Sequence, residues 1–256
     1  MTRAPQFRWT SAARSHVGLV RAINEDAYLD QPKRGLWAVA DGMGGHSVGD
    51  FASRMVIDKL SEVSSPVCLA NCLADAHKRL QVVNQRLRAE AVTRNVQRIG
   101  STVAVLIAWD RHCACLWAGD SRIYLFRSGK LRLLTRDHTQ VEQLKARGEL
   151  TAEEAAHHPA HNVVTRAVGA VDTLHLDEKI IEVDDGDVFL LCSDGLSNEV
   201  SEQEMRTALA SGSCVQAAEA LVDVALMRGG RDNISAVVVR GEDLHGGDKT
   251  LFNPGL

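Results

Sequence analysis

The sequence predicts an α+β domain in which helices are layered on a sheet core, and three observations carry that prediction. Apolar residues recur at three- and four-residue steps in two long stretches, from Asp50 to Val63 and from Leu69 to Leu87. Four short β-branched or apolar runs follow between Ser101 and Leu134, divided by turn residues in the manner of an antiparallel meander. Strand and helix signals come in blocks with no regular β-α alternation, which argues for layers.

In chain order, Leu36-Trp37-Ala38-Val39-Ala40 is a continuous apolar strand. Phe51, Met55, Val56, Leu60 and Val63 mark one helix face; after Pro66, Leu69, Cys72, Leu73, Ala76, Leu80, Val83 and Leu87 mark a second. The meander is Ser101–Trp109, His112–Ala118, Arg122–Arg127 and Lys130–Leu134, with turns at Asp110-Arg111, Gly119-Asp120-Ser121 and Ser128-Gly129. From Thr139 to Asp172 there are two capping boxes, Thr139-x-x-Glu142 and Thr151-x-x-Glu154, but few large apolar residues, so short helices in a surface flap are expected. Val188–Cys192 is a buried strand, Ser201-x-x-Glu204 opens a helix, Val215–Met227 forms another and Ile234–Val239 is a closing strand. Residues 1–240 are expected to form a single domain, and the Gly-, Asp- and His-rich residues 241–256 a disordered tail.

Composition narrows the function. The chain has 256 residues, 45% hydrophobic and 24% charged, with no run approaching the roughly 20 apolar residues of a membrane span. Its basic start, through Arg8 and Trp9, leads into no apolar secretory segment, so a cytoplasmic location is expected. A net charge of −4 provides no general attraction to nucleic acid; an anionic ligand must be captured locally. The six cysteines lie in apolar or periodic runs and read as reduced core thiols. Cys68, Cys72 and His77 lack a second ligand pair for zinc, and Cys113-x-Cys115 reads as packing on one face of a strand.

Carboxylates beside glycines at strand ends are the informative feature. Asp41 closes an apolar strand and opens Asp41-Gly42-Met43-Gly44-Gly45-His46. Asp120 lies in Gly119-Asp120-Ser121-Arg122, Asp194 follows Phe189–Cys192 in Ser193-Asp194-Gly195, and Asp232 precedes the last strand; Asn24-Glu25-Asp26 adds two more acids. A lone Asp-Gly is usually a turn. Asp41 and Asp194, however, end strands that lead into helices, and four or five acids at one sheet edge repel one another unless a cation sits among them. All-oxygen ligation selects Mg²⁺ or Mn²⁺, and Gly42 would let a backbone carbonyl approach such an ion.

Seven segments in order resemble the metal-dependent protein Ser/Thr phosphatases of type 2C in their bacterial form. They are Arg21–Asp26, Asp41–His46, Gly100-Ser101-Thr102, Gly119–Arg122, Thr135–Thr139, Ser193–Leu196 and Gly229–Asn233, within a resemblance running from about residue 11 to 240. The resemblance implies a central β-sandwich of two mainly antiparallel sheets with helices on both outer faces. It implies two Mn²⁺ or Mg²⁺ ions flanking a bridging hydroxide that attacks phosphoserine or phosphothreonine in line, with Asp41 bridging both ions. Asp194 and Asp232 would hold the first ion, the Gly42 carbonyl and Asp26 or Glu25 the second, and Asp120 with Asp194 a third, weaker one. Arg21 would grip the phosphoryl oxygens with its planar fork, and His46 would protonate the departing oxygen. Ser101, Thr102 and Arg122 would support the ligands by hydrogen bonds. His157, His158 and His161 fall in the flap and carry no assigned role.

The rivals fare less well. A cysteine-dependent phosphatase needs a Cys with an Arg six positions later, and a nucleotide-dependent kinase needs a glycine-rich phosphate loop; neither is present. A two-metal nuclease should carry more positive charge. A catalytically dead binding module would have lost metal ligands, whereas Asp41, Asp194 and Asp232 are intact. The resemblance implies a monomer acting on phosphorylated proteins against a eukaryotic-type Ser/Thr kinase. It extends to the phosphatases of type VI secretion clusters.

Overall fold

The computed structural model describes residues 6–44, 48–64, 68–156, 158–160, 162–210 and 212–245. Its strands are β1 (Phe7–His16), β2 (Asp26–Gln31), β3 (Leu36–Met43), β4 (Gly100–Ser101), β5 (Val103–Trp109), β6 (His112–Ala118), β7 (Arg122–Arg127), β8 (Lys130–Leu133), β9 (Asp177–Glu182), β10 (Val188–Cys192) and β11 (Ile234–Asp243). Its helices are α1 (Gly49–Ser61), α2 (Leu69–Thr93), α3 (Gln140–Ala146), α4 (Ala152–Ala156), α5 (Asp194–Ser197), α6 (Glu202–Ala210) and α7 (Cys214–Met227).

One antiparallel sheet runs β1-β11-β10-β7-β8, the other β2-β3-β5-β6-β9, with β4 paired to β3. They pack face to face, as the period of two along the strands shows. Trp37, Val39, Ala104, Leu106, Cys113, Cys115, Phe189 and Val237 fill the space between the sheets. The alternate residues Ala38, Ala40, Val105, Ile107, Ala114 and Leu116 meet α1 and α2 through Val56, Leu60, Leu80 and Leu87. On the other side Leu190, Cys192, Ala236 and Val238 meet α6 and α7 through Met205, Leu209, Leu221 and Val222. The result is the expected four-layer helix-sheet-sheet-helix sandwich. Burial on both faces explains why β3, β5 and β10 read as unbroken apolar runs rather than alternating ones. Cys113 and Cys115 are core residues, and burial pushes their thiols up, Cys115 to about 12.

The sequence reading missed β1, β2 and β9. β2 and β9 end the second sheet and β1 ends the first, so their sequences, FRWTSAARSH, DAYLDQ and DEKIIE, carry polar residues that weaken a strand signal. A correction also applies to the expected tail from residue 241. β11 continues to Asp243, which pairs with Phe7 across a ten-residue ladder, and residues 246–256 lie outside the described residues. The helix starts follow their capping chemistry: the Thr139 side chain accepts from the Glu142 N–H, and Ser201 and Glu204 exchange hydrogen bonds. No helix among the described residues is long and apolar enough to cross a membrane.

Candidate active site

Strands of both sheets end along one edge, and the acids collect there. Asp26 opens β2 directly opposite Asp41 on β3, a register that places two carboxylates side by side. Thr102, between β4 and β5, clamps Asp41 by its backbone: Thr102 Oγ1 accepts from the Asp41 N–H at 3.0 Å, and the Thr102 N–H donates to the Asp41 carbonyl at 2.8 Å. Thr102 Oγ1 is also 2.7 Å from Ser121 Oγ, tying the clamp to the turn that carries Asp120. Gly119 in that turn has φ +113°, and a Cβ there would lie 2.6 Å from Thr102, so the close approach requires glycine.

Asp194 follows β10, and Ser193 before it joins the two sheets. Its hydroxyl donates to Asp26 Oδ2 at 2.7 Å and accepts from the Ser235 N–H at 3.0 Å. The other oxygen of Asp26, Oδ1, is buried without a hydrogen-bond partner. Asp232 precedes β11 and accepts from Arg21 Nη2 at 2.8 Å. Glu25 accepts from the Gly49 N–H at the start of α1 at 3.2 Å. Gly42 donates its N–H to the Glu25 carbonyl, and its backbone packs so tightly on Gly49 that a Cβ would fall 1.9 Å from the Gly49 carbonyl oxygen.

A cavity of about 510 Å³ opens over these groups, lined by Arg21, Glu25, Asp41, Gly42, Asp120, Asp194 and Asp232. Asp26 is not on this lining. Burial raises the carboxyl of Asp26 to about 7, with Asp194 and Asp232 adding repulsion, and burial followed by the Asp194 charge raises Asp120 to about 7. Asp41 stands well above the usual carboxylate range for the same reasons, burial first and then Asp26 and Asp194; Asp194 is raised by burial and by Asp232.

The site therefore brings together Arg21, Glu25, Asp41, Gly42, Asp120, Asp194 and Asp232, with Asp26 packed against them; His46 lies outside the described residues. Among the described residues no three acid, His or Cys side chains stand in ligand-ready geometry. Arg122 departs from expectation. Its guanidinium forks onto Asp137 at 2.7–3.1 Å and touches Tyr124, so it anchors Asp137 rather than a site carboxylate. Sequence reasoning also missed Asn233. Its side-chain oxygen accepts from the Glu25 N–H at 2.7 Å, and its Nδ2 donates to the carbonyls of Val17 and Ile23, which shapes the loop that carries Arg21. The signal was its position next to Asp232.

The protein phosphatase 2C family description matches residues 12–226. The serine/threonine protein phosphatase PstP of Mycobacterium tuberculosis is 36% identical over 231 residues, 89% of this chain but 44% of that protein, so the chain spans less than half the length of this relative. The serine/threonine phosphatase stp of Listeria welshimeri is 34% identical over 235 residues, covering 88% of this chain and 93% of that one. Among solved structures, PppA, described as a key regulatory component of T6SS in Pseudomonas aeruginosa, superposes with a TM-score of 0.85 at 45% identity over 91% of this chain and 97% of its own. The catalytic domain of PstP in complex with two manganese ions gives a TM-score of 0.84 at 34% identity over 93% and 100%. With its family segments in order and its acids gathered at one edge of a four-layer sandwich, the chain belongs to the protein phosphatase 2C family.

Proposed function

We propose that the protein is a metal-dependent phosphoprotein phosphatase that hydrolyses phosphoserine and phosphothreonine esters. The observation that carries this reading is the acidic cavity itself. Asp41, Asp120 and Asp194 converge with raised carboxyls, and Asp26 beside them keeps a buried oxygen unpartnered. The donor set is all oxygen, which suits Mn²⁺ or Mg²⁺. Asp41, Asp194 and Asp232 would hold one ion, Asp41 with the Gly42 carbonyl and Glu25 or Asp26 a second, and Asp120 with Asp194 a weaker third. Bound there, such ions supply Lewis-acid charge and acidify a water molecule.

The chain's own residues do the rest. Arg21 lies on the cavity wall, held against Asp232, where its fork can orient phosphoryl oxygens. Thr102 and Asn233 fix the backbones of Asp41 and of the Arg21 loop, so the charges are arranged in advance. His46 would donate a proton to the departing oxygen. By the same reading the enzyme acts as a monomer in the cytoplasm against a Ser/Thr kinase, and the 45% identity with PppA favours a type VI secretion setting.

The test is phosphate release from a phosphothreonine peptide with Mn²⁺, with EDTA, and with Asp41→Asn. Release that needs Mn²⁺ and falls on the order of 10³-fold or more in the variant is expected; full activity in EDTA or in the variant overturns the reading. In the same assay His46→Ala should slow the phosphopeptide more than p-nitrophenyl phosphate, whose leaving group needs no proton. Equal losses would remove His46 from the acid role.

A further inference from the structure

The cavity wall carries two arginines in different states. Arg21 is bonded to Asp232, one of the floor carboxylates. Arg98, in the loop between α2 and β4, also lines the cavity; it is exposed, and its side chain makes no ion pair or hydrogen bond among the described residues. Along the same stretch Arg94 pairs with Glu90 and Arg88 with Asp172, whereas exposed Arg86 makes no ion pair or hydrogen bond among the described residues; what sets Arg98 apart is its place on the cavity. The root of Arg98 is nonetheless rigid. The next residue, Ile99, is fully buried, Gly100 pairs with Met43, and a Cβ on Gly44 would come within 3.2 Å of the Arg98 carbonyl oxygen. A long cation is thus held in place at the backbone and, among the described residues, unpaired at its tip.

Charge decides what such a tip can do. The acids of the floor, to the extent that bound cations leave them unneutralised, repel an acidic polypeptide segment and favour a basic one. A guanidinium with no partner among the described residues reverses that bias where it stands, and its fork suits a carboxylate or a phosphate. Arg21 reaches a floor carboxylate, next to where the reacting group must sit, whereas Arg98 is bonded to none and shares its wall with Met43, Gly44, Asn162 and Val164. We propose that Arg98 is a specificity-determining residue that binds an anionic group flanking the phosphorylated residue of the protein substrate. The proposal rests on the phosphatase reading.

The experiment measures kcat and KM, with Mn²⁺, on three phosphothreonine peptides that differ in their flanks: acidic, a second phosphothreonine, and alanine. p-Nitrophenyl phosphate serves as the flank-free control. The wild-type protein should favour one or both anionic flanks, and which one identifies the group. Arg98→Ala should raise KM for the preferred peptide about tenfold with kcat within about twofold, leaving the alanine peptide and p-nitrophenyl phosphate unchanged. Arg98→Glu should turn the preference away from anionic flanks further still. Unchanged KM ratios in Arg98→Ala overturn the proposal, and so does a fall in kcat on p-nitrophenyl phosphate, which would put Arg98 on the reacting phosphoryl group. A wild-type protein silent on all four substrates would instead sink the phosphatase reading, a result distinct from activity without discrimination.

Discussion

Asp187, just before β10, and Asp26, at the start of β2, are both carboxylates withdrawn from water, yet the chain treats them differently. Asp187 receives Arg127 Nε at 2.7 Å and Nη2 at 2.6 Å, and the Asp184 N–H at 2.9 Å, so its charge is matched within the protein. Asp26 has only neutral hydroxyls to support its charge, Ser193 on Oδ2 with Ser235 assisting, and Oδ1 has no partner; Asp41, Asp120 and Asp194 beside it carry no Arg or Lys bond among the described residues. A buried pair with its cation supplied is a structural device, while a cluster of acids with none is unfavourable for the folded state by itself. The difference teaches that the cleft edge is arranged for positive charge from outside the chain. Arg21, bonded to Asp232 at the rim, is half-exposed and too peripheral to neutralise the rest.

The comparison is tested hardest by removing the cation that the protein does supply. Arg127→Ala leaves Asp187 fully buried beside Asp184 with no counter-charge, a loss of about 3–5 kcal/mol of stability. Turnover per folded molecule should stay as it was, because Arg127 is not on the cavity lining. Urea unfolding paired with activity normalised to the folded fraction checks this. A variant as stable as the wild type would mean that Asp187 is not held by that pair.

The opposite sign is expected at the cleft edge when pH is varied. Asp26 and Asp120 have folded-state values near 7, raised chiefly by burial from an ordinary value near 4. A group raised on folding contributes its stability below the unfolded value and loses it as pH climbs through the folded one. Metal-free protein should therefore lose on the order of a few kcal/mol between about pH 4 and 7. Mn²⁺ binds the ionised acids, so the melting temperature gained on adding it should grow across that range. Melts at several pH values in EDTA and in Mn²⁺ would read this directly. Parallel curves, or no fall in EDTA, would remove the cleft acids as the source.

These contrasts were partly legible in the sequence. Asp41 and Asp194 stood out because unbroken apolar runs end at them, and the runs are unbroken because β3 and β10 are buried on both faces. That same double burial hid the sandwich, since it erases the period of two that separates an inner from an outer face. The neighbourhood of Asp26 and Asp41 depends on a register between β2 and β3, and β2 was itself missed as a polar edge strand. Asn233 and Ser193 sit beside recognised acids, but their bonds reach across 208 and 167 positions of chain, beyond any local pattern. Arg98 left no local trace at all, because a cation unpaired among the described residues is defined by what fails to surround it.

The subtlest probe is the hydroxyl that holds Asp26. Ser193 joins the sheets, donating to Asp26 Oδ2 and accepting from the Ser235 N–H, both within the buried seam next to Asp194. Ser193→Ala deletes both bonds and leaves Asp26 with only the weaker help of the Ser235 hydroxyl. If Asp26 matters because it orients charge toward an ion, Mn²⁺ affinity should fall about tenfold, the effect expected when a ligand's outer partner is lost. The metal-free protein should change little by comparison, because a carboxyl near pH 7 can protonate in place of accepting the bond. Titration calorimetry with Mn²⁺ on the wild type and the variant separates the two effects. Unchanged affinity with a large loss of metal-free stability would make Asp26 a structural acid like Asp187, and the contrast between the two regions would shrink to Asp41, Asp120 and Asp194.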